Sequence, residues 1–153
     1  MGKRRRARES ALQCLYQWEV TGADPDQILA GYWETREPVE VEVRDFTESL
    51  VRGTVTHVAR IDAIICEQTR HWRMDRLGLV EKSILRLGGF ELLYAPETPA
   101  AVVIDEAVEL SKRFSGPEAA PFVNGILDGI HERSRRGELD LASTCPPGAD
   151  GAD

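Results

Sequence analysis

Five cations stand within the first eight residues: Lys3, Arg4, Arg5, Arg6 and Arg8, all ahead of the first acid, Glu9. The chemistry on offer is recognition of a polyanion. A guanidinium is a planar fork that gives a phosphate two parallel, charge-assisted hydrogen bonds. The chain as a whole carries a formal net charge of -7. A basic arm is therefore set against an acidic body, a contrast that suits an arm meeting RNA or another polyanion. The plain alternative is a solvated basic end.

Other chemistry is hard to find. The cysteines, Cys14, Cys66 and Cys145, are odd in number and widely spaced. They form neither a disulfide framework nor a C-x-x-C pair, and read as reduced cytosolic thiols. His57, His71 and His131 stand singly, so no metal site and no zinc spacing is expected. Asp105 and Glu106 are adjacent and diverge by about 100° on a helix, so they do not converge on one bond. No nucleophile signature, P-loop or dinucleotide fingerprint is present, so neither an enzyme nor a cofactor is expected. No apolar run reaches the roughly 18 residues of a membrane span, and no apolar stretch follows the basic start as in a secretory signal. The expectation is a cytoplasmic protein with no membrane role.

The elements that must position the arm are helical throughout. From about Arg4 to Thr21, Ala7, Ala11, Leu15 and Trp18 recur at helical spacing, and Gly22 is the stop. Asp24-Pro25 is an N-cap followed by a first-turn proline, opening a helix with Ile28, Leu29, Tyr32 and Trp33. A third helix spans roughly 41–57, with Val39–Val43 leading into it. A fourth runs from near Arg60 to His71. In 72–97, Leu77, Val80, Ile84 and Leu87 mark one face, with Glu81, Lys82 and Arg86 expected elsewhere. Gly88-Gly89 costs that helix about 1 kcal/mol per glycine against alanine, which a closely packed neighbouring helix would offset. Thr98-Pro99 opens the next helix, through Phe114, and Ser115-Gly116-Pro117 breaks it. A last helix covers about 118–135. Trp18, Trp33 and Trp72 are read as core or partly buried. The fold class is all-α, about seven helices in bundle-like packing. Residues 1–137 form a single domain, and 138–153 are read as a disordered acidic tail.

Three segments then resemble a known family: RRRARESALQCLYQWE, WRMDRLGLVEKSILRLGGFELLYA, and PAAVVIDEAVELSKRFSGPEAAPFVNGILDGI. They look like the NusB family of bacterial transcription antitermination factors, from about Lys3 to Ile130. Gly88-Gly89 and Pro121 depart from the expected pattern. The resemblance implies two helical bundles packed together and a non-enzymatic role. It implies binding to the single-stranded boxA element of nascent ribosomal RNA. It also implies pairing with the ribosomal protein NusE within an RNA polymerase antitermination complex, and homodimers are possible in such a family.

With the resemblance, Lys3, Arg4, Arg5, Arg6 and Arg8 become RNA-backbone candidates. Phe114 and Phe122 flank the loop 115–121 and become base-stacking candidates, with plain core packing the alternative. Lys112 and Arg113 fit phosphate contacts or ordinary charges at a helix C-terminus. Asn124 is read first as structural. Tyr16 and Glu81 are the protein-partner candidates, against a rim aromatic and a solvated acid. The competing function is an all-α interaction module or homodimer whose arm serves solubility or a protein partner.

Overall fold

A computed structural model describes residues 2–69 and 77–141. Seven α-helices follow in order: α1 (Lys3–Thr21), α2 (Pro25–Glu34), α3 (Val41–Thr56), α4 (Val58–Gln68), α5 (Leu79–Tyr94), α6 (Ala100–Phe114) and α7 (Ala120–Arg135). No strand occurs among the described residues. The helix boundaries obey local chemistry. Gly22 ends α1 in the left-handed region at φ 69°, donating its N–H to the Trp18 carbonyl at 2.8 Å. Asp24 caps α2, its carboxylate accepting from the Asp26 N–H at 2.8 Å, with Pro25 first in the helix. Trp18 and Trp33 are partly buried against the core, as read; Trp72 lies outside the described residues.

α5 is the central element. It packs against α1 and α3 on one side and against α4, α6 and α7 on the other. The two bundles thus share one helix and one continuous core, running from Leu15, Leu29 and Leu50 through Ile84 and Leu85 to Leu127 and Ile130. The glycine pair permits this. A Cβ on Gly88 would stand 2.8 Å from Leu127 Cδ1 of α7, and one on Gly89 would stand 3.1 Å from Ile61 Cγ2 of α4.

Because α5 has neighbours on all sides, Ser83 to Gly89 form an unbroken buried run. That corrects the single-face reading of this helix. Arg86 does not face away. It is only 6% exposed, donates to both oxygens of Asp62 at 2.8 Å, and reaches Glu19 at 2.6 Å.

Arg8 needs the same correction. The sequence groups it with the arm, but it is 4% exposed. Its guanidinium forks onto Glu91 of α5, Nε donating at 2.8 Å to Oε1 and Nη2 at 3.0 Å to Oε2. Glu91 is 2% exposed. A buried charge must keep its partner, so this arginine is held inside and is not available to a phosphate. The boundary expected at Gly137 also moves, because Leu139 and Leu141 pack against the core. The rest of the expected tail lies outside the described residues.

Chemical denaturation reads the consequences for stability at three places. Arg8→Met alone strands Glu91 and costs about 3–5 kcal/mol, whereas Arg8→Met with Glu91→Leu recovers most of that loss. Gly53 of α3 lies under the Phe90 ring, which a Cβ would strike, so Gly53→Ala costs about 1–3 kcal/mol. At Gly31, exposed in mid-helix with open space around it, the same change gains about 0.5–1 kcal/mol.

Candidate nucleic-acid interface

The basic residues are the first turns of α1, which begins at Lys3 with Gly2 as its N-cap. They are not a separate arm. Their orientation is set by two parallel neighbours. Along α1 and α3, Lys3 pairs with Glu42 at 3.1 Å, and Thr47 Oγ1 donates to the Ala7 carbonyl at 3.4 Å. Along α1 and α6, Arg5 pairs with Glu106 and Arg113 with Glu9. Arg4 donates to Thr98, just ahead of α6, at 3.2 Å. The N-termini of α1, α3 and α6 therefore meet at one end of the molecule.

None of these three helices has a side-chain N-cap. Their first N–H groups have no intrahelical acceptor, and each helix end carries roughly half a positive charge. An open groove of about 580 Å³ lies there, lined by Gly2, Lys3, Arg4, Arg5, Arg8, Val102 and Glu106. Helix ends and cations point the same way electrostatically, and Glu42, Glu106 and Glu40 offset part of that charge.

The cations are held in place from within. Arg5 grips Glu106 with two hydrogen bonds, Nε at 3.1 Å and Nη2 at 2.7 Å. Arg6 bonds Glu40, the residue preceding α3. The Arg4 guanidinium lies 4.0 Å from the centroid of the Phe46 ring, a cation–π contact. A second, charged groove follows between α1 and α6, lined by Arg5, Glu9, Glu106, Glu109, Leu110 and Arg113. Phe46, Thr98, Glu106 and Val102 were not singled out from sequence. Their relation to the arm depends on contacts across tens of residues of chain.

The other candidates divide between two places. Lys112 and Phe114 are exposed at the far end of α6, about 21 Å along the helix from Ala100 at 1.5 Å per residue. Lys112 stands 3.6 Å from Glu109. The Arg113 guanidinium lies 5.4 Å from the Phe114 ring centroid. Phe122 is half-buried against the core, while Asn124 and Pro121 are exposed. The structure thus places the stacking candidates and the arm at opposite ends of α6. Tyr16 is 41% exposed, with Val20 and Leu79 also exposed. Tyr16 and Val20 lie toward the end of α1 and Leu79 at the start of α5, and these two helix ends are joined by the Lys82–Glu19 bridge at 3.0 Å. Glu81 is half-buried and accepts a hydrogen bond from Ser115, so its carboxylate already ties α5 to the loop after α6.

Burial pushes the Cys14 thiol up to about 12, leaving it protonated near neutrality. No group of three or more His, Cys, Asp or Glu is placed to hold a metal ion among the described residues. No described helix is long and apolar enough to cross a membrane.

The described residues form an all-α fold with one shared central helix and a basic end at the start of α1. The chain belongs to the NusB family, whose model matches residues 5–132. It is 44% identical over 139 residues to the transcription antitermination protein NusB of Anaeromyxobacter dehalogenans strain 2CP-1, covering 89% of this chain and 97% of that protein. It is 39% identical over 140 residues to the NusB of Sorangium cellulosum, covering 92% and 99%. The fold is similar to the solution structure of NusB from Aquifex aeolicus, with TM-score 0.80, 30% identity, and 97% and 98% of the two chains covered. It is also similar to a crystal structure of the antitermination factors NusB and NusE in complex with dsRNA, with TM-score 0.79, 32% identity, and 86% and 98% covered.

The Arg5–Glu106 pair makes a pH-dependent contribution. Hydrogen bonding from Arg5 holds the Glu106 carboxyl below its ordinary 4.5, against a smaller opposing effect of burial. A carboxylate with a depressed folded-state pKa adds stability that is complete above its unfolded value. That contribution is lost as the pH falls below 4.5 and through the depressed value. Denaturation midpoints between pH 6 and pH 3 should fall less steeply in Arg5→Gln than in the parent.

Proposed function

We propose that this protein is a transcription antitermination factor that captures the boxA element of nascent ribosomal RNA in single-stranded form, together with NusE, in the cytoplasm. The observation that carries the reading is the basic end: Lys3, Arg4, Arg5 and Arg6 at the uncapped start of α1, beside an open groove between α1 and α6. Membership of the NusB family, and a similar NusB seen with NusE and RNA, supply the kind of partner.

The mechanism is capture and presentation. Phosphates are drawn by charge to the start of α1, where Lys3, Arg4, Arg5 and Arg6 stand, and exchange for the acids that pair with Lys3 and Arg6. The strand then follows the α1–α6 groove toward Lys112 and Phe114. There the exposed Phe114 ring offers a face to an unstacked base, a contact worth about 1–3 kcal/mol per base and tolerant of sequence. Arg8 takes no part in the contact; it anchors the helix that carries the others. NusE docks at the opposite end of α1, on Tyr16, Val20 and Leu79, with Tyr16 as its aromatic anchor. The bound complex travels with RNA polymerase and supports processive transcription of ribosomal RNA.

Binding of a short boxA-like RNA, single-stranded or paired with its complement, tests this by fluorescence anisotropy against salt, with and without NusE. Replacing Arg4, Arg5 and Arg6 by alanine should weaken binding and flatten the log–log salt slope by up to about 0.7 per lost contact on the single strand. Phe114→Ala should cost about 1–3 kcal/mol with the slope unchanged. A slope untouched by the triple substitution removes α1 from the interface. Equal binding of boxA-like and scrambled RNA at every salt, NusE present or absent, removes the boxA reading.

A further inference from the structure

The first turn of α1 is electrostatically odd. It holds Lys3, Arg4, Arg5 and Arg6, no acid, and no side-chain cap. Cations at the positive end of a helix are disfavoured by its dipole. The body answers with acids of its own. Glu40 and Glu42 open α3, where a negative charge suits that helix's dipole, and they meet Arg6 and Lys3. The two pairs differ from the others at this end. Arg8 is buried on Glu91, and Arg5 holds Glu106, itself 15% exposed, through two bonds. Arg6 and Lys3 each hold an exposed acid through one bond, with Glu40 and Glu42 at 45% and 63% side-chain exposure. The Arg6 Nε is buried with no partner, so its fork is only partly used.

We infer that Glu40 and Glu42 are a built-in competitor, two carboxylates that occupy Arg6 and Lys3 until RNA phosphate displaces them, and so set the affinity below which RNA is not retained. The inference rests on the RNA-binding reading above. Exposed, singly bonded pairs are weak enough to exchange. In the free protein they offset the repulsion at the start of α1; in the complex they become nearby negative charges opposing the strand. The two roles have opposite signs, and that separates competition from a simply structural role. If the acids only ordered the arm, removing them would lower both stability and RNA affinity.

The test compares the full chain with Glu40→Gln/Glu42→Gln. Glu67→Gln/Glu132→Gln serves as the charge control, since those acids pair with Arg133, Arg135 and Arg136 of the α7 end, not with the arm. The probes are a boxA-like single-stranded RNA and a scrambled strand of the same composition, read by anisotropy across salt, with thermal unfolding in parallel. Each exposed pair is worth up to about a factor of five. The arm variant should therefore bind both RNAs about 2–30-fold more tightly, with a salt slope steeper by up to about 1.4 for two released cations. It should melt slightly lower than the parent. The control should tighten binding less and leave the slope as it was. Unchanged or weaker binding by the arm variant, or an equal gain in the control, overturns the inference while leaving the RNA reading intact. A parent protein that binds neither RNA overturns both.

Discussion

The fold and the basic end both depend on one buried ion pair. Arg8 and Glu91 meet where α1 crosses α5, each almost wholly withdrawn from water. Such a pair is costly to desolvate, and well-packed apolar residues can match it for stability. Its contribution here is positional. A two-point guanidinium–carboxylate contact has one geometry, so it fixes how far α1 slides along α5 and which way it is rolled. With Arg8 turned inward, Lys3, Arg4 and Arg5 fall beside the starts of α3 and α6. The pair also touches the surface, because Arg8 Nη1 lies 4.0 Å from Glu106, the partner of Arg5.

That anchoring creates a tension which the neighbouring helices relieve. A helix starting with four cations works against its own dipole, and α1 runs parallel to two more helices whose positive ends lie alongside. Concentrating like charge in this way lowers stability at the very place where an anion would raise it. Glu40, Glu42 and Glu106 return part of the loss. The arrangement is stable enough to hold the arm in a helix and remains poised for a stronger anion. Preorganisation is the gain: an ordered basic end loses less entropy on binding than a disordered arm would.

Much of this was legible in the residues. The periodicity of Ala7–Trp18 gives a helix where one stands, the helices read through Phe114 and over about 118–135 are found as α6 and α7, and Gly22 and Asp24-Pro25 act as read. Gly88-Gly89 also reads correctly, since a costly pair of glycines in mid-helix implies a close neighbour, and Leu127 and Ile61 are that neighbour. Arg8 was misplaced although a signal existed: with Leu12 and Leu15 it makes an i, i+4, i+7 stripe, so the helix period puts it on the buried face. Its membership of a basic run hid this. Arg86 was misplaced because apolar residues surround it on every side of α5, and a helix buried all round leaves its arginine no solvent face. The pairs Arg5–Glu106 and Arg113–Glu9 could not be read at all. They require α1 and α6 to be parallel and in register, which is a property of the packing around α5 and not of either segment.

The direction of α6 explains why the site can be long. Its positive end faces the arm and its negative end faces the loop before α7. A strand laid along it from one end to the other would meet falling attraction and then repulsion. Lys112 and Arg113 stand in the last turn, the only basic residues there, and offset the negative end. Phe114 follows immediately, next to a charge that supports it and beyond the reach of the arm. On the proposed reading, charge captures the strand at one end of α6. At the other, Lys112 and Arg113, paired with Glu109 and Glu9, stand beside the exposed Phe114 ring. Read from sequence, Lys112 and Arg113 fit either charges at a helix C-terminus or phosphate contacts, and Phe114 fits either core packing or base stacking. In the fold the two cations stand in the last turn of α6, where they offset its negative end, and the Phe114 ring is exposed beside the Arg113 guanidinium.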